Sequence, residues 1–414
     1  ESGVYKSGEG GRHKIASWPV WLDAQGVDGD VLRVRLRWLR RGGDALAEGQ
    51  RWVEFGEITD SHRLMRLARF GIQATSKNSR DLSELLTRMQ AIQLLPEYQL
   101  VRRQGWLDEN CSAFMLGDQL IDGGRGDVNA EIVREGDAAI VDGLRPNLDA
   151  DARRRWAVVA REVRAAAPWA RFMLSACFAP PLLLPVGVRT HCIHVVGPSG
   201  VGKTAGLKLG VAGWGRVDSL FATWDATEIG AASRAVALHD CPYALDEWTL
   251  RDARHDDSRQ LAYTLAGGVE RVRADQTGAT RQPRTWRLVV LSTGEVSLIS
   301  DADTGGQMPR VLEVSADTPL PDALSRQIHS TVALREHGVA AVYVIDAAVR
   351  CGPARLRQLY DSYFANLTAR VPHAEPRHVS YGAVVVLADV LLSMYVLHEE
   401  EQPATEWALA SAAA

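Results

Sequence analysis

Over the first 125 residues, short apolar or alternating runs are separated by glycine- and aspartate-rich turns. SWPVWLDAQ, VLRVRLRWL, QRWVEFGEI, YQLVRRQGWL and SAFMLGDQLI read as strands, whereas SHRLMRLARFGI and SRDLSELLTRMQAIQLL have helical spacing. Leu64, Leu67 and Phe70 share one helix face, and Gly71 stands where a glycine ends a helix. The pattern predicts an α+β domain over residues 1–125. Residues 126–175 form a helical lead-in, rich in alanine and arginine and broken at Pro168.

From 176 to 318 strand and helix patterns alternate. The apolar run Ile193, Val195, Val196 reads as a buried strand, followed by a helix from about Lys203 through Leu209. TEIGAASRAVALH is a helix with Thr227 as its N-cap, CPYAL a short strand, DSRQLAYTLAGG a helix and TWRLVVLSTGE another strand. This alternation predicts an α/β core with a parallel, doubly wound sheet. Residues 319–414 read as helical, ending in a strongly apolar helix and an alanine-rich tail.

Two apolar stretches call for a membrane test. Phe172 to Val188 is interrupted by Pro180, Pro181 and Pro185; Ala383 to Leu397 is short and carries Asp389 at its middle. Both read as buried elements, and no membrane association is expected.

Composition changes this picture little. At 414 residues the chain can hold two or three domains, and its 46% hydrophobic and 24% charged content is that of a globular protein. A formal net charge of −4 excludes general basicity as a route to nucleic acid, so such binding needs a local patch. The five cysteines (Cys111, Cys177, Cys192, Cys241, Cys351) form no C-x-x-C pair, which argues against a zinc ribbon or disulfide framework and for a reducing, cytoplasmic setting. The polar opening ESGVYKSGEGGRHK has no signal-peptide pattern.

Candidate chemistry changes it a great deal. Gly197-Pro198-Ser199-Gly200-Val201-Gly202-Lys203-Thr204 is a G-x-x-x-x-G-K-T phosphate loop between a strand and a helix. Its glycines let backbone N–H groups curl round a phosphate; Lys203 reaches the β and γ phosphates of ATP, and the Thr204 hydroxyl ligates Mg²⁺. About forty residues on, PYALDEW ends a strand with Asp246, suited to hold Mg²⁺, and Glu247, suited to polarise the attacking water. The next strand ends in Ser292 and Thr293, either of which could read the γ-phosphate or its water by hydrogen bonding, or simply cap the strand.

Between those strands, GGVERVRADQTGATRQPRTWR carries Arg271, Arg273, Arg281, Arg284 and Arg287 around a turn at Thr277 to Ala279. In a hairpin these arginines could grip a DNA backbone, or they could serve solubility alone; the local charge excess favours binding. Arg33, Arg35 and Arg37, by contrast, alternate with Val34, Leu36 and Trp38, which favours an ordinary solvated strand face. Arg310 opens an apolar strand-like run and could act as an arginine finger on a neighbour's nucleotide or make a local salt bridge, with Arg326 and Arg335 as weaker candidates. His191 and His194 have no ligand-spaced partner on their face and read as ordinary strand residues.

With RQGWLDEN around Gly105 and Trp106, GPSGVGKT, PYALDEW, TWRLVVLSTGE and GGQMPRVLEV in this order, the chain resembles the family filed as domain of unknown function 927, helicase-like ATPases often carried by phages and mobile genetic elements. The resemblance covers nearly the whole chain. It implies an AAA+-like P-loop NTPase core related to superfamily 3 and minichromosome-maintenance helicases. Its expected partners are single-stranded or forked DNA, other copies in a hexameric ring, and a primase or other replication protein. In that family the hairpin before the sensor strand tracks DNA; a lysine expected near its start is replaced here by Glu270 and Arg271. The sequence therefore reads as an ATP- and Mg²⁺-dependent DNA motor. A nucleotide-switched regulatory or defence ATPase is the main alternative, and a small-molecule kinase lacks an identifiable lid or acceptor pocket.

Overall fold

The computed structural model describes residues 3–8, 11–42, 45–133, 138–248, 255–270, 283–299, 310–333 and 336–413. In chain order the first elements are β1 (Val4–Gly8), β2 (Gly11–Ala16), β3 (Val20–Asp28), β4 (Val31–Gly42), β5 (Ala45–Glu54), α1 (Phe55–Thr59), α2 (Ser61–Arg66), α3 (Ser79–Ile92) and β6 (Glu97–Val101). A small antiparallel meander follows, β7 (Gly105–Trp106), β8 (Phe114–Leu116) and β9 (Gln119–Ile121), and then β10 (Ala130–Ile132). The chain divides into two compact units, one of residues 1–101 with 129–133 and the other of 102–128 with 134–414.

In the first unit, strands in the order β10-β6-β3-β4-β5 make one sheet, antiparallel across β3, β4 and β5. Val34, Leu36 and Trp38 of β4 turn into a core with Leu64, Leu67, Leu82 and Leu86 of the helical layer, as period-two and helical spacing require. Gly71, in the left-handed region at φ 97°, ends the 3₁₀ turn Leu67–Phe70 after α2. The segment FGEI, grouped with a strand by its pattern, is helical instead: Glu54 and Glu57 form a reciprocal capping box at the start of α1.

The arginine face of β4 is not simply solvated. Arg33 is buried, with Asp28 at 3.0 Å and Glu54 at 3.5 Å; Arg35 holds Asp23 at 2.7 Å and Glu131 at 2.5 Å; Arg37 holds Asp23 at 3.0 Å and Glu48 at 2.6 Å. Arg35 also lies over the Trp52 and Tyr98 rings. Cross-strand carboxylates thus consume the charge that might have met a nucleic acid.

The second unit continues with α4 (Ala138–Gly143), α5 (Ala150–Ala166), α6 (Pro168–Ala176), α7 (Leu183–Val186), β11 (His191–Val196), α8 (Lys203–Ala212), α9 (Val217–Leu220), β12 (Phe221–Thr223), α10 (Glu228–Leu238), β13 (Tyr243–Trp248), α11 (His255–Gly267), β14 (Val289–Gly294) and β15 (Val311–Ser315). It ends in α12 (Asp322–Ala333), α13 (Ala341–Arg370), broken at Gly352–Pro353, then α14 (Pro376–Tyr395) and α15 (Glu401–Ala413). Pro168 separates α5 from α6, and Thr227 caps α10 by accepting the Gly230 N–H at 3.2 Å. Five parallel strands lie in the order β12-β13-β14-β11-β15, so β14 separates the phosphate-loop strand from the Asp246 strand.

The meander β7–β9, expected within a domain of residues 1–125, belongs to this second unit. Trp106, Phe114, Leu116 and Ile121 join its core cluster. The Trp106 indole donates to Pro181 O at 2.7 Å, and its backbone N–H to Asp240 Oδ2 at 3.0 Å. Both partners lie far along the sequence, beyond the reach of local pattern.

α14 has the length and apolarity to cross a membrane, yet it is buried inside this unit with α6, α13 and α15 around it. Its Asp389 accepts from Arg164 at 2.6 Å, from Arg171 at 2.6 and 2.9 Å and from Ser175 at 2.7 Å, all four residues being buried. With Ser393 also donating at 3.3 Å, a carboxylate in an apolar helix is thereby answered by two cations and two hydroxyls.

Candidate nucleotide site

The strands β11, β13 and β14 all deliver their carboxyl ends to one edge, where open α/β sheets bind ligands. There the phosphate loop leaves β11. The Gly197 N–H donates to Gly294 O at 3.2 Å, and a Cβ on Gly197 would fall 2.6 Å from Ala316 O, so only glycine allows this approach. Gly202 adopts φ 96° just before α8 begins. The outer turn, Pro198 to Gly200, is exposed, while Val201 is buried and its carbonyl accepts the Leu320 N–H at 3.0 Å.

Lys203, buried under the loop, donates to Gly197 O at 2.7 Å and Pro198 O at 2.6 Å. Burial lowers its amine from the ordinary lysine value, against the pull of Glu295 and Asp246. Thr204 donates to Asp246 Oδ1 at 3.0 Å, and Thr293 donates to the same oxygen. A hydroxyl and a carboxylate side by side are hard oxygen donors of the kind Mg²⁺ takes. Of the phosphate-loop and Asp246 set, the lysine and both hydroxyls therefore meet at one edge. Glu247 follows Asp246 in β13, and its side chain lies outside the described residues.

Strand alternation turns Ser292 and Thr293 to opposite faces of the sheet. Thr293 faces Asp246, while Ser292 points to His194, whose Nδ1 lies 3.0 Å from the Ser292 hydroxyl and whose Nε2 lies 3.0 Å from Val296 O. The carbonyl can only accept, so Nε2 carries the proton and Nδ1 receives that of Ser292. Burial lowers the His194 pKa and keeps the ring neutral. Sequence reasoning passed over Glu295, the residue after Gly294, whose charge acts on Lys203. The acidic end of STGE was the available signal.

His191 is buried at the other end of β11, stacked on Tyr381 with ring centroids 3.9 Å apart, its Nδ1–H donating to Arg189 O at 2.9 Å. Burial, with a smaller push from His378, takes its pKa from 6.5 to about 4. The unfolded chain therefore binds this proton at higher pH than the native one does. Stability from His191 is present above pH 6.5 and is lost as pH falls from 6.5 towards 4. Between pH 7.5 and 5, urea unfolding of His191→Gln should lose about 2 kcal/mol less than the parent protein loses. Equal losses would remove His191 from this role.

Arg310 is exposed at the start of β15, the opposite edge of the sheet, five residues before Ser315. At about 3.3 Å per residue it lies on the order of 16 Å from its own phosphate loop, beyond the reach of its side chain. Arg326 is exposed on α12; Arg335 lies outside the described residues.

Arg271, Arg273, Arg281 and the turn at Thr277 to Ala279 also lie outside the described residues. The ends that bracket them are paired: Val269 bridges Thr285 antiparallel, with the Glu270 N–H to Arg284 O at 2.9 Å and the Trp286 N–H to Gly268 O at 3.0 Å. Arg284, expected on the DNA track, makes a bidentate pair with Glu270 at 2.7 and 2.8 Å and donates to Ser233 at 3.1 Å. Arg287 grips the fully buried Asp240 at 2.6 and 3.1 Å. Both guanidiniums are spent on the root of the segment, because a buried carboxylate needs a partner. Gly105, at φ 108°, completes this node, since a Cβ there would fall 2.3 Å from Asp240 Oδ2.

A parallel sheet carrying a glycine-rich loop, a lysine beneath it and two hydroxyls on one strand-end aspartate defines a P-loop-like protein with a helical carboxyl-terminal region. The chain belongs to the family described as "Domain of unknown function (DUF927)", which matches residues 4–285. The fold is similar to the solved structure described as "SCCmec type IV Cch - active helicase", with a TM-score of 0.74 at 18% identity over 96% of this chain and 73% of that one. A second structure, "The A form apo structure of NrS-1 C terminal region-CTR", aligns at 9% identity over 91% of this chain and 87% of that one, with a TM-score of 0.35, too low to bear on the fold. No curated protein matches the chain.

Proposed function

We propose that this protein is an ATP- and Mg²⁺-dependent DNA helicase or translocase of the AAA+ class, working as a ring, hexameric by family resemblance, in replication of a phage or mobile element. The observation that carries the reading is the convergence of Thr204 and Thr293 on Asp246 beside Lys203, at the strand edge of a helicase-like fold. The bound nucleotide and metal supply an electrophilic γ-phosphorus with its charge partly neutralised.

The chain's own groups do the rest. Backbone N–H groups of the loop bind phosphate oxygens, and Lys203 leaves Gly197 O and Pro198 O to pair with them. Thr204 and Asp246 hold the metal, Thr293 orients the water and Glu247 polarises it. Arg310 of one copy completes the site of the next, and Arg271, Arg273 and Arg281 contact the DNA backbone while Arg284 and Arg287 anchor their segment.

Turnover should rise on adding single-stranded DNA, and Arg271→Ala with Arg273→Ala should abolish that rise and weaken salt-sensitive DNA binding. Turnover indifferent to DNA, with binding intact in the double variant, would leave a nucleotide-switched regulatory ATPase instead.

A further inference from the structure

The second unit contains a cleft of about 610 Å³ lined by Asp142, Arg145, Asn147, Arg216 and His337, which the nucleotide chemistry does not use. α8 runs ten residues from the phosphate loop towards it, roughly 15 Å, so the two sites are distinct.

Backbone contacts fix its walls. The Arg216 N–H donates to Gly143 O at 2.8 Å and the Asn147 N–H to Gly338 O at 3.0 Å. Glycines make these approaches possible: a Cβ on Gly215 would fall 2.0 Å from Gly143 O, and one on Gly338 2.1 Å from Arg145 O. The arginines are therefore presented on a preformed frame.

The charge is mainly positive. Arg145 holds Asp142 at 3.2 Å while its side chain stays 59% exposed. Arg216 is exposed, and among the described residues no carboxylate pairs with it. An open cleft with two accessible guanidiniums suits a phosphodiester better than an apolar ligand.

Its position is equally informative. Arg284, at the root of segment 271–282, donates to Ser233 of α10; the next residue, Arg234, donates to Ser219 O at 2.7 Å; and the Ser219 N–H donates to Arg216 O at 3.0 Å. The root and the cleft thus share α10 and α9 as a short, hydrogen-bonded connection.

We propose that Arg145 and Arg216 form a second phosphate grip for a single DNA strand, joined through α9 and α10 to Arg284. The inference rests on the DNA-motor reading and adds a backbone contact outside the 271–282 segment. Each guanidinium that pairs with a phosphate releases counterions, so its loss has a measurable salt signature.

The test is titration of oligo(dT) at several salt concentrations with the intact protein, Arg145→Gln/Arg216→Gln, and Arg271→Ala/Arg273→Ala. For the cleft pair, the slope of log K against log salt should become shallower by about 0.7 per lost contact, about 1.4 in all, with weaker binding. DNA-free turnover and melting temperature should not change. If the cleft pair binds with parental affinity and slope while the 271/273 pair does not, the cleft grip is wrong and the motor reading stands. A loss of DNA-free turnover in the cleft pair also overturns it, since the effect would then lie at the nucleotide site. If the parent protein binds no oligo(dT), the motor reading fails and the cleft grip with it.

Discussion

Lys203→Ala should lower ATP turnover by about 10²–10³-fold, the usual loss when one preorganised donor to developing charge is removed. Lys203 is buried beneath the loop and, among the described residues, donates to Gly197 O and Pro198 O. Those carbonyls lie in a loop whose ends are held by other bonds, Gly197 to Gly294 and Leu320 to Val201. The fold should therefore survive the change, with a melting temperature close to the parent's. Steady-state phosphate release read beside thermal melting separates loss of chemistry from loss of structure. A variant that retains a third or more of parental turnover would remove Lys203 from phosphate binding and with it the assigned nucleotide site.

Asp389→Ala should have the largest effect on stability. The substitution leaves Arg164 and Arg171 buried without their shared carboxylate, although Arg164 keeps Glu399 at 3.0 Å. Breaking one side of a buried pair destabilises by about 3–5 kcal/mol, because the remaining charge is uncompensated. At roughly 2–4 °C per kcal/mol for a large domain, the melting temperature should fall on the order of 10 °C. Replacing the set together, Asp389→Leu with Arg164→Met and Arg171→Met, should recover most of that loss, since the desolvation of all three charges is avoided. If the single variant melts within 2 °C of the parent, water must reach the arginines and the buried-charge account is wrong.

How much could be read in advance follows the range of each interaction. The phosphate loop and Asp246 are local patterns, and the parallel sheet follows from alternation of strand and helix. Whether Ser292 or Thr293 faces the site depends on register with β11 and β13, which local pattern does not contain. The meander around Trp106 reads as part of the first domain until Pro181 and Asp240 are seen to hold it. The alternation at Arg33 to Arg37 was legible, but its acidic partners come from neighbouring strands and from Asp28 at the turn. Asp389 was visible as an oddity in an apolar helix; its cationic partners lie more than two hundred residues away. Arg284 finds Glu270 only 14 residues away and Arg287 finds Asp240 47 away, pairings set by how the chain closes at Val269 and Thr285 rather than by local pattern.

The anchoring of Arg287 to Asp240 has a mechanical consequence. Arg287 lies two residues before β14, whose other end carries Thr293, and Asp240 lies three residues before β13, whose far end carries Asp246. Tension applied to the 271–282 segment enters a clamped joint and divides between two adjacent, hydrogen-bonded strands. Both strands run from that joint to the site, so a pull entering there would reach both members of the Thr293 and Asp246 contact in the same direction. On the proposed DNA-motor reading, load entering at Arg284 and Arg287 would therefore reach that contact through both strands at once.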